Sequence, residues 1–251
     1  MRKLFFTLLF SAILLTSTVR AQDAFDTQMK VYSYALKYYD LQVATTALYN
    51  AMVLKPERKD LRDSLANLYF MGERYGQAYT IGEEILKDDP KKTDILAVVA
   101  VSKQSLGFAK DALTDYETLY KSTKQVFYLY QIATLQYQLK RIGECLATLD
   151  QVLADETSAK QMVPISNGNG QPSQNVPMRA AALNVKGIVA MNLNQQANAK
   201  EFFTQALKLF PDFALAKGNL AAVTEQEAKG SASKGGTVPV RSTPPPKSGG
   251  K

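Results

Sequence analysis

Histidine and tryptophan are both absent from this 251-residue chain, and cysteine occurs once. Without histidine there is no Ser-His-Asp or Cys-His nucleophilic scheme, no histidine zinc site and no histidine general base. A lone cysteine, Cys145, excludes an intramolecular disulfide, so stability has to come from packing. No phosphate-binding GxxxxGK(S/T) loop occurs, and the Gly-rich stretches lie at 167–170, inside an expected insertion, and near the C-terminal end. Carboxylates do pair, at Asp60/Asp63, Glu83-Glu84 and Asp88-Asp89. A glycosidase would need two of them facing across a cleft, roughly 5–10 Å apart. The last two pairs fall on or just after a helix whose back faces solvent. Asp60 and Asp63 suit the start of a helix, where negative charge is favoured. Neither catalysis nor a metal or cofactor is expected.

A strongly basic balance is also missing once the ends are set aside. The formal charge is +7. Arg2, Lys3 and Arg20 precede residue 22, and Lys229, Lys234, Arg241, Lys247 and Lys251 lie at the other end, with no acid among them. The body between, 22–228, holds 22 basic and 23 acidic residues and carries no dense Lys/Arg stripe, which argues against nucleic acid as a partner.

Residues 1–21 read as a signal peptide. Arg2 and Lys3 give a basic start, Leu4 to Leu15 an apolar run, and Val19-Arg20-Ala21 a small-x-small cleavage site before Gln22. The run falls short of the roughly 20 residues a spanning helix requires, and no lipid-attachment cysteine follows it. The expected location is exported, periplasmic or secreted, in a bacterial setting. Residues 230–251, rich in Gly, Ser, Pro and Lys, read as a disordered basic tail that could touch an anionic envelope surface.

What is present is a recurrence. Ala44, Ala78 and Ala112 stand 34 residues apart, as do Pro56 and Pro90. Leu65-Ala66-x-x-Tyr69 and then Gly72-x-x-Tyr75-x-x-Ala78 make one unit, with Gly72 at the turn between two helices and Pro90 closing it. The first unit, 25–58, repeats it with Tyr32, Ala44, Leu48, Ala51 and Pro56. In 93–125 come Ala100, Leu106-Gly107, Ala112, Tyr116 and Leu119, with Lys124 in the proline position. In 126–155 Ala133, Cys145, Leu149 and Val152 follow, one residue early. The fifth, 180–213, has Gly187, Ala190, Ala199, Phe203, Ala206 and Pro211. A last helix, 212–229, reads as a cap, with Phe213, Leu215, Leu220 and Val223 on its apolar side. Between the fourth and fifth units, 156–178 reads as a mobile insertion, its Asn-Gly pairs able to close a hairpin between Met162–Ser166 and Gln174–Met178.

This pattern resembles the tetratricopeptide repeat. The resemblance implies an all-α, right-handed solenoid over 22–229, with five helix hairpins and a C-terminal capping helix. It also implies a scaffold or adaptor that binds a protein or peptide along the concave face made by the first helix of each pair. Carried onto this chain, the groove positions are Asp63, Asn67, Phe70 and Met71 in the second unit. In the fourth they are Phe127, Tyr130, Gln131, Thr134 and Tyr137, and in the fifth Asn184, Ile188 and Met191. The first unit offers Lys37 among others. Phe127, Tyr130 and Tyr137 suit partner anchors, since aromatics carry much interface energy. Met29, Ser33, Ser64, Asp94 and Val98 stand where the carboxylate-clamping subtype has lysines and asparagines, so that clamp is not expected. The alternative is an envelope-associated spacer whose basic tail makes the contact that matters.

Overall fold

The computed structural model describes residues 22–166 and 173–234, with side chains to 229. The expected signal peptide and the tail from 235 onward therefore lie outside the described residues. Eleven α-helices are described: α1 (22–37), α2 (Leu41–Leu54), α3 (Asp60–Met71), α4 (Tyr75–Asp88), α5 (Thr93–Ser105), α6 (Ala109–Thr123), α7 (Val126–Gln138), α8 (Ile142–Ala154), α9 (Met178–Asn192), α10 (Gln196–Leu209) and α11 (Ala214–Lys234). The chain divides into two compact units, one ending at Arg141 and the other starting at Ile142, so the fourth expected repeat contributes a helix to each.

The recurrent residues share one physical role. Ala44, Ala78, Ala112, Cys145 and Ala199 are all completely buried. These are the points where two helices approach most closely, and only a small side chain fits there. Cys145 is one of them, and burial pushes its thiol up to about 11, which leaves it protonated and unreactive near neutrality. Four residues on, the slot holds Leu48, Gly82, Tyr116, Leu149 or Phe203, all buried but very different in volume. Volume is matched across the contact instead. A Cβ on Gly82 would lie 2.4 Å from Val99 Cγ2, and one on Gly187 would lie 2.4 Å from the ring of Phe203. Where one helix is bare, its neighbour fills the gap.

Each helix pair turns the same way. Five residues before every small residue the backbone is left-handed, at Tyr39 (φ 56°), Glu73 (55°), Gly107 (84°), Lys140 (60°) and Asn194 (57°). The next N–H then bonds back five residues, as in Asp40 to Ala35, Arg74 to Tyr69 and Gln195 to Ala190, at 2.8, 2.8 and 2.9 Å. This six-to-one bond is the Schellman helix stop. Gly72 lies at the turn as expected, but with φ −85°: the left-handed residue of the second unit is the next one, Glu73. Four of the five turns thus hold a side-chain-bearing residue in a conformation costing roughly 1–2 kcal/mol. Glu73→Gly is expected to raise stability by up to about 1 kcal/mol, read as a shift of the urea midpoint. At Lys124, which replaces the closing proline, the chain again turns left-handed (φ 57°) to end α6.

In the first unit each helix from α2 to α6 packs on the next in sequence, and α3 also touches α5. The second unit adds a short 3₁₀ turn, Glu156–Ala159, and an antiparallel ribbon of β1 (Met162–Ile165) and β2 (Gln174–Pro177). These strands are tied down rather than loose. Val163 and Val176, paired across the ribbon, are 1% and 0% exposed, and both strands contact α9. Gln174 donates to the Asp212 carbonyl (2.6 Å) and accepts from the Ala214 N–H (3.1 Å), which fastens the ribbon to the start of α11. That last helix runs to Lys234, five residues past the expected end at 229. No proline intervenes before Pro239 to stop it.

Candidate functional site

Side chains from α1 and α3, the first helices of the first two pairs, enclose an open pocket of about 420 Å³. Tyr32, Leu36, Lys37 and Tyr39 form one wall, and Ser64, Asn67, Leu68 and Met71 the other. Asn67 and Met71 were expected groove residues, and Met71 is 54% exposed, unusual for so apolar a side chain. Asn67 donates to the Asp63 carbonyl one turn earlier (2.9 Å). Lys37 brings a positive charge, with its Nζ 5.6 Å from the Tyr38 ring. Tyr34, Tyr38 and Tyr39 are 65%, 72% and 81% exposed, so aromatic surface continues beyond the rim.

The other expected positions divide by burial. Asp63 is committed to Lys92 (Nζ to Oδ2 2.5 Å), and Phe70 packs into the core with its ring edge-on to Tyr75 at 6.1 Å. On α7, Tyr130 is only 6% exposed, and Phe127 and Tyr137 are half-buried. A partner cannot reach the Tyr130 ring without unfolding what covers it. Gln131 accepts a long bond from Gln104 (3.4 Å), whose own carbonyl holds the buried Tyr116 hydroxyl (2.8 Å). Thr134 donates to the Gln131 carbonyl (2.8 Å). In the second unit Asn184 is buried and accepts from Asn219 of α11 (3.0 Å). Ile188 and Met191 pack with Leu220 around the cluster of Ala190, Phe203 and Val223. The capping helix therefore covers the positions through which the fifth unit was expected to meet a partner.

Sequence reading passed over Leu36, Tyr39 and Leu68. A signal for Tyr39 was there: the equivalent turn positions hold Glu73, Gly107, Lys140 and Asn194, and only the first turn carries an aromatic.

At least one carboxylate of each acidic pair is held by a cation. Asp88 takes Arg62 (2.6 Å) and Lys59 (3.5 Å), and Asp60 takes Arg58 (2.7 Å). The hydrogen bonds from Arg62 and Arg58 hold both carboxyls below their ordinary range. Glu83 and Asp115 share Lys103, at 2.9 and 2.8 Å. Among the described residues no group of three potential ligands could hold a metal ion, and no helix is long and apolar enough to cross a membrane.

No protein-family model and no curated protein matches the sequence. Solved structures do. The chain is similar to YrrB, described as a TPR protein with an unusual peptide-binding site, with a TM-score of 0.59 at 16% identity over 74% of this chain and 87% of that one. The fold is that of a tetratricopeptide-repeat protein. MamA from Desulfovibrio magneticus RS-1 aligns with a TM-score of 0.61 at 11% identity, over 76% of this chain and 97% of that one. MamA of AMB-1 gives 0.57 at 12% identity, over 78% and 94%. At such identities the likeness is one of fold. The pocket of α1 and α3 is judged on its own residues.

Proposed function

We propose that this protein is an exported, non-catalytic scaffold that holds an extended segment of a protein partner on the first-helix side of its N-terminal unit. The observation that carries the reading is the pocket of about 420 Å³ flanked by Tyr32, Tyr39 and Met71. Its walls supply what a peptide site needs: apolar and aromatic surface for a side chain, with Asn67, Ser64 and Lys37 to orient a backbone or a carboxylate. The peptide-binding site ascribed to YrrB supports the same class of partner. Tyr137 and Phe127 remain secondary anchors, whereas Tyr130, Asn184, Ile188 and Met191 serve packing.

A photo-crosslinking amino acid at position 71, in cells producing the full chain, is the direct test. It should yield one dominant protein adduct that a Tyr39→Ala change reduces at least fivefold. The same probe at Gln77, which lines a different cavity with Tyr49 and Thr80, should yield none. Equal adducts from both positions would remove the groove from consideration. Export is tested by the mass of the purified mature chain, expected to begin at Gln22.

A further inference from the structure

A second pocket, of about 360 Å³, lies within the C-terminal unit among α8, α9 and α10, lined by Leu153, Arg179, Leu183, Gln205, Lys208 and Leu209. The geometry points to a binding site for a free aliphatic monocarboxylate of medium chain length, its chain among the three leucines and its carboxylate between Arg179 and Lys208. This assignment is independent of the peptide site on the first unit.

Charge carries the argument first. Arg179 donates through Nε to Ser158 Oγ (3.1 Å) and through Nη2 to the Asp155 carbonyl (2.8 Å), and both acceptors are neutral. The Asp155 carboxylate, though close enough to sense Arg179, is bonded to Thr157 N and Oγ1, at 2.8 and 2.5 Å. Arg179 is thus a guanidinium fixed in place by uncharged partners, with N–H groups left for an anion. A half-buried cation of this kind is ordinarily paired with a carboxylate. Lys208 makes no ion pair among the described residues and stands exposed in the lining of the same pocket. Arg179 also lies in the first turn of α9, whose positive end favours an anion there.

Shape and lining then select the rest of the ligand. Leu153, Leu183 and Leu209 supply the apolar surface, and Leu209 is 47% exposed as things stand. Gln205 gives one of its two amide N–H groups to Glu201 (2.9 Å), so at most one donor stands on the rim beside the three leucines. The volume falls at the small end of the range for small-molecule sites, roughly 300–1,000 Å³, which suits a short chain with one head group.

The experiment uses the full mature chain with leucine methyls labelled for NMR, titrated with hexanoate, octanoate and decanoate. Decanoate should saturate at one equivalent and shift the methyls of Leu153, Leu183 and Leu209. Each added methylene should tighten binding roughly fourfold, the equivalent of about 0.8 kcal/mol. Decanol should bind at least tenfold more weakly than decanoate, and Lys208→Gln should weaken decanoate severalfold while leaving the protein folded. Leu209→Gln, also on the exposed rim, should abolish the chain-length dependence. Decanol binding as well as decanoate would overturn the proposal, as would shifts spread over other leucines without saturation. Tighter binding at the same leucines by a peptide ending Leu-Leu with a free carboxylate would overturn it too, in favour of protein chain ends.

Discussion

Gly187→Ala is expected to destabilise the protein by about 1–3 kcal/mol, although alanine is the better helix former. The added Cβ would lie 2.4, 2.6 and 2.8 Å from Cε1, Cδ1 and Cζ of Phe203, three atoms of one rigid ring. Phe203 is fully buried in a cluster with Ala190, Ala199 and Val223, so the ring has no room to retreat. The roughly 1 kcal/mol that alanine gains in helix propensity offsets only part of this strain. Gly218 is the control. It lies inside α11, and a methyl added there would meet nothing within 4 Å, so Gly218→Ala should stabilise by about 0.5–1 kcal/mol. Gly82→Ala should fall between, since only one methyl, Val99 Cγ2, is met at 2.4 Å. Urea unfolding of the three variants gives the order directly. Adding Phe203→Leu to Gly187→Ala should recover part of the loss, a coupling that distant sites do not show. Simple additivity of those two changes would mean the ring is not what the methyl strikes.

That pairing of a bare helix with a large neighbour also marks how far the sequence could be read. The small slots were legible because geometry permits so few residues there, and Ala44, Ala78, Ala112, Cys145 and Ala199 announce them by spacing alone. The turn stop was half legible. Its position is fixed five residues before each slot, but four of its five occupants are not glycine, because the Schellman bond holds the backbone whatever the side chain. The groove was the least legible part. Which side of a first helix stays open depends on what the following helices cover, and no periodicity within one unit records that. Tyr130 and Met71 were both read as groove residues, yet one is enclosed and the other open. The same holds for Asn184, whose amide oxygen is taken by Asn219 from a helix 35 residues further on.

Lys103→Met is expected to cost about 2–4 kcal/mol at neutral pH, and less as the pH falls. Lys103 lies between Glu83 of α4 and Asp115 of α6, its side chain 12% exposed, with theirs at 36% and 15%. The contact at Asp115 Oδ2 is electrostatic rather than a well-directed hydrogen bond. Removing the cation leaves two carboxylates facing each other with little water, the situation in which breaking a buried pair costs roughly 3–5 kcal/mol. Glu83 is exposed enough to place the loss below the top of that range. Burial already raises the Asp115 carboxyl above its ordinary value, against the pull of Lys103, and without that pull it should rise further. A carboxyl whose folded pKa is raised favours the folded state when protonated. Its contribution is full below the unfolded pKa and is lost as pH rises through the folded one. The stability gap between wild type and variant should therefore narrow steadily from about pH 7 to about pH 4.5. Comparing the two proteins at each pH cancels the acid sensitivity of Asp60 and Asp88, whose lowered pKa values act in both alike. Lys103→Met with Asp115→Asn should regain most of the loss at neutral pH. Should the gap stay constant with pH, the lysine would be acting through its stem and its place 5.7 Å from the Tyr79 ring, and not through its charge.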